Sequence, residues 1–437
     1  MRTRGRAALA AATAVMTLAF TGPAGQAAAG GAADPRTDEP GWHVWPLGSA
    51  RDQQELRAVA ALGPRDAWAV GYQGSLDTAR PLVQHFDGIA WQAVNVPGHG
   101  LSGHFETVLP LGARDVWAIG HWNDMAAHND RALAVHFDGW TWRETPMPYE
   151  PEDRSAYPFA AAALGSDDVW AVGATATDRL VAPAPLAYHW DGLRWRSART
   201  PDTGGDAILL SAAADRAGGV WAVGVAYDKD GVGRPLVEHW DGTAWRLVTV
   251  PFDAQHAYSL EGVTALGPDD AWAVGSVSTE SGESRPLVYH WDGAAWTQVQ
   301  APAIDAALHA VSADPATGTV WAVGGRATGE TPALTLRWDG AGWRELPAAP
   351  EPGGVGASLF AVAAVPDAQP GGVTVWAAGS NLPSTPETNW HAVIEGYGTA
   401  PRPAAPAAAT QASPLPGPAT PRVLPRGGAH DHGVRSH

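Results

Sequence analysis

Two sets of residues in the 437-residue chain could do chemistry. The first recurs about every fifty residues: Arg57, Glu106, Phe159, Leu210, Glu261, His309 and Phe360. Four of these seven are ionisable. Brought to one place they would supply an acid, a base and an anion-binding guanidinium, the groups that general acid–base catalysis or recognition of a polar ligand needs, and a solvated or ion-paired channel plug is the alternative reading. Glu106 and Glu261 would be the acid/base candidates, with His309 and Arg57 beside them. The second set is compact: His99, His104, His121, Trp122, Asp124, His128 and Asp130. Imidazoles within reach of carboxylates suit zinc, copper or nickel. His104, His121 and His128 are therefore candidate metal ligands, although their spacing follows no established metal signature and a polar loop cluster is the alternative reading.

Residues so far apart meet only if a repeat positions them. A Trp-Ala-Val-Gly element, or a near copy, has its tryptophan at Trp68, Trp117, Trp170, Trp221, Trp272, Trp321 and Trp376. About twenty residues after five of these comes His-Phe/Trp-Asp-Gly-x-x-Trp, from His85 to Trp91, His136 to Trp142, His189 to Trp195, His239 to Trp245 and His290 to Trp296. In the sixth copy Arg337 replaces the histidine. The apolar period is two, which excludes a helical solenoid, and fifty residues is too long for a β-helix coil. Each copy reads as four short strands, with Asp-Gly predicting a tight type I′ hairpin before the fourth. The fold expected is all-β: a seven-bladed β-propeller of four-stranded blades over residues 41–398.

The seventh copy lacks its last strand, because Pro401 stands where the fourth-strand tryptophan belongs. Gly41-Trp42-His43-Val44-Trp45-Pro46 resembles the missing piece. The N-terminal strand is thus expected to complete blade seven, which would remove the open sheet edges that template aggregation. Aligning strand one across the blades puts the first set of residues in a ring at the axial mouth. Propeller topology places the connections between strands two and three, and between blades, on that same face. Those connections vary in length and content, and variable loops on a rigid scaffold carry function.

Subtracting what every blade repeats isolates what does not. Eighteen of the 22 tryptophans occupy repeat positions and are expected to be core. Trp122 and Trp390 fall in variable connections and, with Asp124, are candidate ligand-binding residues. The repeated histidines His85, His136, His189, His239 and His290 are expected to be satisfied inside their blades.

The glycine closing strand two, as in Val323-Gly324-Gly325, the aromatic on strand three and the tryptophan opening strand four make the chain resemble the kelch and galactose-oxidase-like propellers, from roughly Gly41 to Gly398. That resemblance implies the fold, and a binding or scaffolding role as is common among such propellers. It does not imply galactose oxidase activity, which uses copper and a tyrosine crosslinked to cysteine. This chain has no cysteine.

The missing thiol also excludes an iron–sulfur cluster, a cysteine nucleophile and cysteine-ligated zinc. A phosphate-cradling Gly-x-x-x-x-Gly-Lys, a Gly-x-Ser-x-Gly elbow and a His-Glu-x-x-His helix are absent as well. A divalent metal is the one cofactor the residues suggest. The formal net charge is −17, and it becomes −23 once residues 1–29 and 399–437 are set aside. So acidic a surface argues against nucleic acid as a partner.

Residues 1–29 carry Arg2, Arg4 and Arg6, an apolar run from Ala7 to Phe20 and small residues ending at Ala29, the pattern of a secretory signal peptide. Residues 30–40 read as a linker, and the Pro/Ala-rich residues 399–437 as a disordered tail. Together these predict a secreted, extracellular, monomeric chain without a membrane anchor. Two functions lead, a binding module for an extracellular glycan or protein, or a glycan hydrolase or lyase using Glu106 and Glu261, and the tail and acidity also allow a structural coat or matrix protein.

Overall fold

The computed structural model describes residues 40–48, 53–74, 78–97, 103–124, 128–151, 153–177, 180–279, 282–326, 332–349, 357–381 and 391–399. Among them every regular element is a strand, numbered β1 (Gly41–Val44) to β28 (Ala392–Gly398) in chain order. They form seven antiparallel sheets of four strands. Six sheets use consecutive strands, beginning with β2 (Gln54–Gly63), β3 (Asp66–Gln73), β4 (Arg80–Phe86) and β5 (Trp91–Val94). The seventh runs β26 (Ala357–Ala364), β27 (Val375–Asn381), β28 and then β1. Trp42 pairs with Tyr397 and Val44 with Glu395, so the first strand closes the last blade as its spacing foretold. The expectations for residues 1–29 and for the tail lie outside the described residues.

Between each pair of neighbouring blades lies an apolar cluster. Each blade's Trp-Ala-Val-Gly tryptophan meets the fourth-strand tryptophan of the next blade edge to face, as Trp170 meets Trp245 at 5.3 Å and 84°. The seam obeys the same rule: Trp321 meets Trp42 at 5.9 Å and Trp376 meets Trp91 at 5.2 Å. A ring of quadrupole-matched pairs supports the closed barrel of blades where no disulfide does.

The repeated histidine belongs to this frame. His189 lies flat on Trp170 at 4.4 Å while its Nε2 is 2.8 Å from Asp168 Oδ1. His136 does the same with Trp117 and Asp115. In blade six Arg337 takes the place over Trp321, its guanidinium carbon 5.4 Å from the ring. These histidines are blade rungs, as expected.

The Asp-Gly hairpin differs from the type I′ expectation. Phe86 pairs with Trp91, which leaves a four-residue loop of Asp87, Gly88, Ile89 and Ala90. Of these residues only Gly88 has positive φ, at 91°. The Asp87 carboxylate accepts the N–H groups of Ile89 and Ala90 at 2.9 and 3.0 Å, so a side-chain cap shapes the turn instead of a left-handed residue pair. Those two bonds hold the Asp87 carboxyl below its usual range.

Candidate functional site

The innermost strand of every blade carries a β-bulge, and in every blade the extra residue is the ring residue. The register slips between Leu56 and Ala58, which leaves Arg57 unpaired, and likewise at Glu106, Phe159, Leu210, Glu261, His309 and Phe360. A bulge bends the strand and re-aims its side chain. Here all seven line one central cavity of about 290 Å³. The bulge also explains the invariable glycine of Trp-Ala-Val-Gly. A Cβ on Gly71, Gly120, Gly173, Gly224, Gly275, Gly324 or Gly379 would stand well inside 3.0 Å of the carbonyl oxygen two residues before the bulge, on Glu55 in the first blade.

The ring's ionisable members are sequestered, their side chains only 7–13% exposed. Glu261 holds His309, with Oε2 2.6 Å from Nδ1. Arg57 is clasped by Glu55 at 2.8 Å and stands 3.9 Å from Glu106 Oε2, with its guanidinium over the Phe360 ring at 5.4 Å. Burial opposes that charge, but the Glu55 and Glu106 carboxylates outweigh it and hold Arg57 firmly protonated. Tyr72 donates its hydroxyl to Glu55 at 3.1 Å, and burial followed by the Glu55 charge pushes its pKa up. The ring is thus two polar arcs, in blades one and two and in blades five and six, separated by Phe159 and Leu210 on one side and Phe360 on the other.

Blade two joins the ring to the second set of residues. On β6 (Gly103–Gly112) and β7 (Asp115–Asp124), His104 pairs directly with His121. Their ring centroids are 5.2 Å apart. His104 stacks on Tyr72 at 4.5 Å, and His121 meets the face of Tyr157 edge-on at 5.1 Å. His121 Nδ1 is 3.9 Å from Glu106 Oε1. Burial, reinforced by His121, pushes the His104 imidazole down to about 4, so near neutrality it is the uncharged, lone-pair-bearing form.

His104, Glu106 and His121 therefore come together, and His128 does not join them. His128 sits exposed in the turn after β7 with φ 56°, its N–H donating to the Asp124 carbonyl at 2.8 Å. It corrects the expected metal triad: a turn residue is carried away from the strand face that its two companions share. Asp124 is not a free ligand either, since Arg131 Nε donates to it at 2.7 Å. Trp122 is half-buried against the cluster between blades one and two. His99 and Trp390 lie outside the described residues. Reading the sequence alone missed Glu55, Tyr72 and Tyr157. The available signal was register: Glu55 precedes the ring residue by two on its strand, and Tyr72 faces it from the end of β3.

No protein-family model matches the chain, and no curated protein matches it. Solved structures do. A chain of a mitotic checkpoint complex superposes with a TM-score of 0.50 at 11% identity, over 86% of this chain and 99% of that one. YCF48 from Cyanidioschyzon merolae gives 0.48 at 14% identity over 82% and 98%, and the fucose-recognising lectin of Aleuria aurantia, with six blades, 0.41 at 12% over 71% and 100%. At such identities the likeness is one of fold. The chain is a seven-bladed β-propeller.

Proposed function

We propose that this chain is a secreted, kelch-like binding module that receives a neutral or cationic group of an extracellular glycan or protein in the axial mouth of its variable-loop face. The carrying observation is the state of the ring: Glu261 is held by His309, Arg57 by Glu55, and aromatic and aliphatic side chains separate the two polar arcs. Two carboxylates, Glu106 and Glu261, and one guanidinium, Arg57, line the cavity, which favours neutral or cationic ligands. Phe159 and Phe360 offer apolar faces beside fixed carboxylates, a combination that suits a sugar ring or a basic side chain. The export pattern in residues 1–29 supports the extracellular setting.

Hydrolysis or lysis by Glu106 and Glu261 is the weaker reading. It needs carboxyls free to exchange protons across one bond. Glu261 is instead held by His309, Glu106 lies between Arg57 and His121, and the two stand in blades two and five. The test is a glycan array probed with the chain and read for bound protein and for released sugar. Binding that Phe360→Ala abolishes, and that Leu193→Ala on the opposite face leaves intact, supports the module. Released sugar that Glu261→Gln stops would overturn it, and silence on every glycan directs the search to protein partners.

A further inference from the structure

The inner hairpin of blade two gathers three metal-ligating side chains around one point. Cross-strand pairing sends His104 and His121 off the same face of β6 and β7, and the bulge turns Glu106 toward them. One donor atom from each lies within 4.8 Å of the other two, and among the described residues this is the one such group of three. His121 Nδ1 is buried and hydrogen-bonds to nothing. Its distance to Glu106 Oε1, 3.9 Å, is too long for a hydrogen bond. It is close to the separation of two donors that share one ion, since bonds of about 2.0–2.2 Å put such donors roughly 3–4 Å apart.

Charge points the same way. Glu55 and Glu106, at most 10% exposed, face a single guanidinium, that of Arg57, which leaves one negative charge uncompensated in a nearly buried cluster. Buried charges are paired or bind metal. We propose that His104, Glu106 and His121 bind a divalent transition metal, zinc first, at the wall of the axial cavity. Two imidazoles select zinc over calcium or magnesium, which prefer all-oxygen sets. Three protein ligands leave a fourth position open on the cavity that Glu106 lines, where an oxygen of an incoming ligand would coordinate. The inference goes beyond the binding reading and is read without any glycan or protein ligand.

Among the competing zinc ligands outside this site are His128 and the tail histidines His430, His432 and His437. The reference is therefore the full-length chain with those four changed to alanine, stripped with chelator and titrated with Zn²⁺ against a chromogenic competitor. It should bind one equivalent, and Co²⁺ in its place should show the intense absorption of a low-coordinate site. His121→Ala and Glu106→Gln should each weaken zinc by more than the roughly 10–100-fold that loss of an outer partner costs. Tryptophan emission and circular dichroism report that each variant is folded. Glu106→Gln keeps the shape of the side chain and decides alone if His121→Ala misfolds. Absence of stoichiometric zinc in the reference, or unchanged affinity in Glu106→Gln, would overturn the proposal whether or not any glycan binds.

Discussion

Glu238, on β16 (Gly233–Trp240), is fully buried, and neither carboxyl oxygen has a hydrogen-bond partner. It leaves the strand on the same face as Leu236, which packs into the cluster between blades three and four. Blade seven repeats a buried glutamate there, Glu395, whereas three other blades fill the position differently. Tyr188 reaches Glu150 at 2.7 Å, Tyr289 reaches the Pro251 carbonyl at 2.6 Å, and Leu336 has nothing polar to satisfy. Burial alone pushes the Glu238 carboxyl from 4.5 up to about 8. In the unfolded chain it ionises near its ordinary value while the folded chain keeps the proton. Its contribution is therefore whole below the carboxylate range and is lost as pH rises toward about 8. At about 1.4 kcal/mol for each pH unit, the loss between about pH 5 and about pH 8 is roughly 3–4 kcal/mol. Glu238→Leu, for which Leu336 is the internal precedent, removes it. Urea unfolding followed by tryptophan emission across that pH range should show the variant gaining on the parent by about that amount as pH rises. Glu238→Gln should flatten the curve equally while gaining less, because its amide is still buried. Parallel curves for parent and Glu238→Leu would refute the reasoning.

Gly224→Ala drives a methyl group into the Ile208 carbonyl at the bulge and should cost about 4 kcal/mol or more, or prevent folding. Gly342→Ala, with open space around its Cβ, should shift the thermal midpoint little, and equal effects in the two would show that the bulge does not require glycine. Trp42→Ala, which removes a 3%-exposed ring from the closing strand, should cost about 3–5 kcal/mol in the same urea assay. Trp140→Ala, 77% exposed, should cost about 0.5 kcal/mol or less, so similar losses in the two would deny the closure its energetic role.

Much of the scaffold was legible because it repeats. Seven tryptophans at one spacing meet seven others across blade interfaces, and the gap at Pro401 named the strand that had to fill it. The ring residues were legible for the same reason, since one register in one strand becomes one height in a ring. The Asp-Gly turn was half legible: the dipeptide marks a turn, but whether glycine geometry or an aspartate cap shapes it depends on loop length, which the pairing of Phe86 with Trp91 sets. His128 looked like its neighbours because composition does not say which side of a turn a residue occupies.

Sequence by itself determined the blade count, the strand order, the closing strand and the core, because all follow from local period and from burial that recurs identically in each copy. Only the tertiary structure decided what the ring residues do to one another. Glu261 meets His309 across blades five and six, Arg57 meets Glu106 across blades one and two, and Glu106 turns to His121 within its own blade. Electrostatic partnership depends on distances of a few ångströms between residues some fifty positions apart, and a strand bulge, marked in the sequence only by the glycine that faces it, sets those distances.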